Sequence, residues 1–160
     1  MTGGLGNDAF VFTTVAFTQS GWAAGDTTAA NIDWIKDFTG NAAAVGDSIQ
    51  ITAGSVIAAG VTTGAIGTPS TAVVTAITVA TAGTFTALTA AAQAVTAGTA
   101  SVTGNAGAIQ MYDVTVSAGT MVGRYLIIND TTSTIAAADT FINLTGVTGA
   151  LNAQDFIFNV

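Results

Sequence analysis

Short runs in which apolar residues recur at every second position, each closed by glycine, constrain this chain more than any other feature. Alternation with a period of two belongs to a strand with one buried face. Residues 9–12 (AFVF) set Phe10 and Phe12 on one face, and residues 47–51 (DSIQI) repeat the pattern. Residues 108–116 (AIQMYDVTV), 124–129 (RYLIIN), 140–145 (TFINLT) and 156–160 (FIFNV) continue it, with Gly119, Gly123, Gly146 and Gly149 as turns. Within residues 32–38 (IDWIKDF), Ile32, Trp34 and Phe38 fall on one side, and Asp33 and Asp37 on the other. One segment reads otherwise. Over residues 84–97, Phe85, Leu88, Ala92 and Val95 have helical spacing, with Thr84 as cap and Gly98 as stop. The stretch 54–83 is rich in Ala, Thr, Val and Gly around the single proline, Pro69; it favours extended structure without marking boundaries. These patterns predict a mostly antiparallel β domain with one helix.

The composition excludes most chemistry. Among 160 residues there are two basic and nine acidic groups, every acid is Asp, and His and Cys are absent. Thiolate and imidazole nucleophiles, bases and zinc ligands are therefore unavailable, as is a disulfide framework. Lys36 and Arg124 are too few to grip a phosphate backbone, which excludes nucleic acid as a partner. Half of the residues are apolar, yet no run supplies the roughly 20 consecutive apolar residues of a membrane-spanning helix, because Thr interrupts each stretch. A surface this poor in charge, built of Thr, Ser, Asn and Gln, suits a secreted protein that packs against copies of itself; it also suits a solitary domain with a bland polar face. The start of the chain, MTGGLGNDAF, lacks the basic and apolar regions of a secretory signal peptide.

One motif carries chemistry. Gly3-Gly4-Leu5-Gly6-Asn7-Asp8-Ala9-Phe10-Val11 satisfies every specified position of the nonapeptide G-G-x-G-x-D-x-U-x. Glycines allow the turn to aim its carbonyls inward, and the short Asp side chain joins them. Carboxylate plus carbonyl oxygens is the ligand set of calcium, which accepts six to eight such oxygens. In stacked turns each ion sits between neighbours, so a single turn supplies half a site. A glycine-rich turn with one Asp also serves as a purely structural turn.

The run TGGLGNDAFVF, followed by IDWIKDFTGNAAAVGDSIQI, resembles the end of the repeat-in-toxin (RTX) β-roll of bacterial proteins exported by type I secretion. The D-x-I-x-D-F segment there corresponds to residues 33–38, and the G-D-x-I segment to residues 46–49. RYLIINDTTSTIAAADTFINLTGVTGALNAQDFIF resembles the C-terminal region of calcium-dependent surface-layer proteins of that type. The likeness covers residues 2–51 and 122–160. It implies Ca2+ ligands at Asp8 and at the carbonyls of Gly4, Gly6 and Asn7, with Asp33 and Asp37 as partners and Asp26 and Asp47 as weaker candidates. The preceding repeats of the family are missing, so at most one or two sites, incomplete ones included, are expected. It also implies an uncleaved C-terminal export signal, formed by Asp155, Phe156, Ile157, Phe158 and Val160.

The fold implied is mainly β, with a short β-roll-like N-terminal part (one RTX turn) leading into an antiparallel β-sandwich or roll with one short helix. Residues 1–52 would form the terminal RTX-like segment and residues 53–160 an Ala/Thr-rich β domain, the two running on as one continuous domain. The function implied is a non-enzymatic, calcium-binding structural protein, secreted and self-assembling at the bacterial cell surface as a layer or filament. Its partners would be its own copies and the type I secretion apparatus. The alternative is a C-terminal secretion and folding module of a larger RTX enzyme or adhesin. No catalytic constellation emerges. The sequons at Asn129 and Asn143 read as coincidence, Trp22 and Trp34 as packing residues, and Tyr112 and Tyr125 as core or interface.

Overall fold

The computed structural model describes residues 1–13, 33–40, 46–52, 74–97, 110–129, 135 and 139–159. Their elements are β1 (Ala9–Thr13), β2 (Ser48–Thr52), β3 (Val74–Val79), α1 (Phe85–Ala97), β4 (Gln110–Val116), β5 (Gly123–Asn129), β6 (Thr140–Asn143), a 3-10 turn (Ala153–Asp155) and β7 (Phe156–Asn159). They make a mainly β protein of two sheets and one helix. The expected helix forms, and Thr84 caps it as its chemistry suggests: the Ala87 N–H donates to Thr84 Oγ1 at 3.1 Å. Gly98, its expected stop, lies outside the described residues.

One sheet has three strands in the order β1-β2-β7, and the other has four in the order β3-β4-β5-β6. The four-stranded sheet is apolar on both faces because its strands alternate between two cores. Met111, Leu126, Ile128 and Ile142 pack with Phe10, Ile49, Ile51 and Phe156 of the three-stranded sheet. Tyr112, Val114, Tyr125, Ile127 and Phe141 face the other way, onto Phe85, Leu88 and Ala92 of α1. Phe85 and Phe141 meet edge-to-face at 4.8 Å between ring centroids. The layers therefore run three-stranded sheet, four-stranded sheet, helix. Tyr112 and Tyr125 are core residues, both nearly inaccessible to solvent, and the buried Tyr125 hydroxyl donates to the Met121 carbonyl at 3.0 Å.

Strand direction departs from the antiparallel expectation. The β4–β5 and β5–β6 pairs are antiparallel, but β1–β2, β2–β7 and β3–β4 are parallel. For β1, β2 and β7 the reason is that three lengths of chain cross from one sheet to the other in the same sense instead of doubling back as hairpins, while β3 and β4 lie in one sheet with α1 between them in the chain. The first runs from Met1 through the glycine-rich turn into β1. The second runs from Trp34 past Thr39 into β2, and the third from β6 past Thr148 into β7. They stay side by side along the way, through parallel bridges at Trp34–Asn143 and Thr39–Thr148. Met1 continues this order: its amino group donates to the Trp34 carbonyl and its own carbonyl accepts from the Lys36 N–H. Because β7 pairs with β2, the strands β1 and β2 share one sheet with the C-terminal strand.

A second correction concerns residues 33–38. Ile35 and Phe38 are buried, whereas Trp34 is 41% exposed. The segment makes single bridges rather than a continuous ladder, so strict alternation does not set its facing. Trp34 instead donates its indole N–H to the Thr145 carbonyl at 3.0 Å and lies 4.7 Å beneath the Lys36 ammonium.

Candidate functional site

The glycine-rich turn occupies the corner between Met1 and β1. Gly4 and Gly6 have φ of 101° and 123°, a region closed to most side chains, so the turn requires glycine at both. Two aspartates of the second passage clasp it. Asp37 accepts the Gly3 N–H at 2.9 Å on Oδ1 and the Gly4 N–H at 3.0 Å on Oδ2. These successive backbone donors, Gly3 before Gly4, hold the Asp37 carboxyl below the usual carboxylate range. Asp47, 2% exposed, accepts the Asp8 N–H at 2.9 Å and the Thr39 N–H at 2.8 Å, one on each oxygen. The Ser48 N–H then donates to the Asp8 carbonyl at 2.8 Å, which starts the β1–β2 ladder. Thus Asp47 closes its own corner and ties it to the neighbouring one.

Asp8 stands beside Asp47 and is differently placed. Its Oδ2 is buried with no hydrogen-bond partner. A Cβ on Gly3 would lie 2.6 Å from that oxygen, so the carboxylate fits beneath the turn only because residue 3 is glycine. The remaining implied ligands scatter. Asp33 is exposed, and its contribution to the fold is its carbonyl, which accepts the Asn143 N–H at 2.8 Å. Asp26 lies outside the described residues.

These positions test the fit of a calcium ion. In favour is the buried, unpartnered Asp8 oxygen, the kind of atom a cation satisfies. Against a full cage, each oxygen of Asp37 and of Asp47 already accepts a backbone N–H. Among the described residues no three acidic side chains gather around one point. The fit is therefore partial: what the described residues supply is one buried carboxylate oxygen, at Asp8.

Of the implied export residues, Asp155 and Phe156 are fully buried and Ile157 is half-buried. Asp155 Oδ2 accepts the Asn152 N–H at 2.7 Å and closes the 3-10 turn that leads into β7. Phe158 lies in β7, and Val160 falls outside the described residues. Sequence reading missed Thr39 and Asn143 as corner residues. A signal existed for the corner itself: Asp8-Ala9-Phe10 and Asp47-Ser48-Ile49 share a spacing, and the register sets Phe10 against Ile49.

Arg124 forms a separate clasp. Its guanidinium meets Asp113 through two bonds of 2.8 and 2.7 Å and donates a third, at 3.0 Å, to the Val147 carbonyl. This fork joins β4, β5 and the third corner.

Comparison with protein-family models, with curated proteins and with solved structures found no match to this chain.

Proposed function

We propose that this chain is a non-enzymatic structural protein, secreted to the bacterial cell surface, that assembles with copies of itself and is stabilised by calcium at its glycine-rich turn. In this reading the three parallel passages are the rungs of a short β-roll. The observation that carries it is the use made of the acids. Asp37 and Asp47 spend their oxygens on backbone N–H groups of the corners, and Asp113 holds Arg124. The chain's few charges build its architecture, as expected of a protein whose task is its shape. Calcium would be held by Asp8 and the carbonyls of Gly4, Gly6 and Asn7, with water completing the shell. It would supply positive charge to the Asp8 carboxylate, whose Oδ2 has no hydrogen-bond partner, and stabilise the folded turn by linkage.

The test is light scattering and thermal melting of one sample in EDTA and then in millimolar calcium. Growth into large assemblies and a raised melting temperature are expected with calcium, and Asp8→Asn should abolish the rise. A chain whose size and melting are the same in both conditions would remove both the ion and the assembly from this reading.

A further inference from the structure

The three-stranded sheet ends on β1, and no described strand pairs with the outer edge of β1. The neighbouring sheet is treated differently: beyond β6 it continues through residues 33–35, and these in turn carry Met1. Among the described residues the first passage is therefore the end of the stack, with backbone groups of β1 free of a described neighbour. Exposed apolar side chains collect there as well. Of the five large hydrophobic residues exposed among the described residues, Met1, Leu5 and Val11 lie within the first 13 positions, at 44%, 105% and 47% exposure. A groove of about 450 Å³ runs along this end, lined in part by Met1, Gly3, Asp8 and Val11. The edge also lacks the devices that keep strands apart: β1 reads AFVFT, with no lysine, no proline and no charge.

We infer that this end is a self-docking surface, on which two copies of the chain meet about a two-fold axis, β1 against β1 and antiparallel. The inference deepens the proposed self-assembly and rests on it. Charge selects the occupant. The chain carries a formal charge of −7, yet Asp8 is the only charged side chain in residues 1–13, and one of its oxygens is buried. The neighbouring Asp37 already accepts the Gly3 and Gly4 N–H groups, so two such ends meet with little like-charge repulsion along β1, and a basic partner would find few free carboxylates there. Isologous two-fold contacts are also the commonest route to a homo-oligomer. Pairing through Val11 would set each copy's Val11 opposite its mate and join two three-stranded sheets into one. The β7 end is a poorer mate for β1. There the adjoining sheet runs on from β6 into β5, β4 and β3, and would project toward an incoming copy.

Sedimentation velocity of the full chain in EDTA, over a concentration series, tests this contact apart from calcium-driven growth. A dimer is expected. Val11→Lys sets like charges opposite each other at the edge and should weaken dimerisation by about tenfold or more. Leu5→Lys, at a fully exposed position, should weaken it less. At concentrations low enough to keep the chain monomeric, circular dichroism melting should stay unchanged in both, since neither side chain lies in a core. A monomer at all concentrations overturns the inference, as does a dimer that Val11→Lys leaves intact. Open-ended growth that Val11→Lys abolishes would seat β7 of the next copy on β1 and overturn the two-fold contact. Calcium-driven assembly that survives Val11→Lys would sink this contact and leave self-assembly standing. A β1 dimer that never grows with calcium would do the reverse.

Discussion

The two sheets of this protein solve the same problem by different means. The four-stranded sheet is covered on both faces, and its strands carry dense apolar runs such as YLII in β5, where Tyr125, Leu126, Ile127 and Ile128 are all buried. The three-stranded sheet has one face in the core through Phe10, Ile49, Ile51 and Phe156. Its other face holds the exposed Val11 and, beside it, the partly exposed Gln50 and Ile157. A sheet with half the apolar cover cannot depend on burial to the same degree. Its corners are fastened by polar clasps instead, Asp37 and Asp47 on backbone N–H groups. Burial is spread over many atoms, whereas a clasp concentrates the same duty in two oxygens.

This contrast predicts a gradient of mutational effects. Ile127, fully buried between β4, β6 and α1, should show the largest: Ile127→Ala removes core volume and is expected to cost about 3 kcal/mol. Val11→Ala, on the open face, should stay within about 0.5 kcal/mol. Chemical denaturation of the two variants checks the pair, read at a concentration low enough to keep the chain monomeric. Equal losses would mean that both sheets rest on burial alike.

An intermediate effect belongs to Asp47. Asp47→Ala removes the buried acceptor of the part-buried Asp8 and Thr39 N–H bonds, and losing such hydrogen bonds to a charged group costs about 1–3 kcal/mol. The cost should stay local. Amide exchange should accelerate at Asp8, Thr39 and Ser48 while the amides of α1 keep their protection. Exchange that accelerates equally in α1 would show that the clasp and the apolar sheet open as one unit, and would erase the distinction.

The sequence made the apolar half of this molecule legible and the clasped half much less so. Period-two alternation located β1, β2 and β4–β7 to within a few residues, because one buried face per strand imposes that spacing. Helical spacing together with Thr84 located α1. Strand direction was hidden, because alternation is the same for parallel and antiparallel neighbours. It is decided by whether a glycine corner reverses the chain or carries it to the other sheet. Residues 33–38 misled for a related reason: a segment held by single bridges need not alternate, and Trp34 turned outward onto Lys36. The acids were visible as a group, and their roles were not. The resemblance implied Asp37 and Asp47 as cation ligands, yet backbone N–H groups occupy their oxygens, three of the four from a neighbouring passage 33 to 39 residues away in sequence.

The smallest expected effect is also the most selective, since it leaves every apolar contact in place. Two backbone N–H groups, Gly3 first and Gly4 second, lower the Asp37 pKa below its ordinary value of 3.8. A carboxyl whose folded pKa is depressed contributes stability above its unfolded pKa. It loses that contribution as pH falls through the lower, folded value. The glycine-rich turn should therefore loosen in acid, at a pH below the ordinary aspartate range, while both apolar cores remain closed. The Gly3 and Gly4 amide resonances report this directly, and both should shift together with one midpoint below 3.8. In Asp37→Asn the side-chain NH2 would face one of the two donors, the charge would be gone, and the titration should flatten. Amide shifts that still titrate in Asp37→Asn would assign the acid response to another group. A midpoint above the ordinary value would mean that burial, rather than the two N–H groups, governs this carboxyl, and the polar clasp would lose its clearest signature.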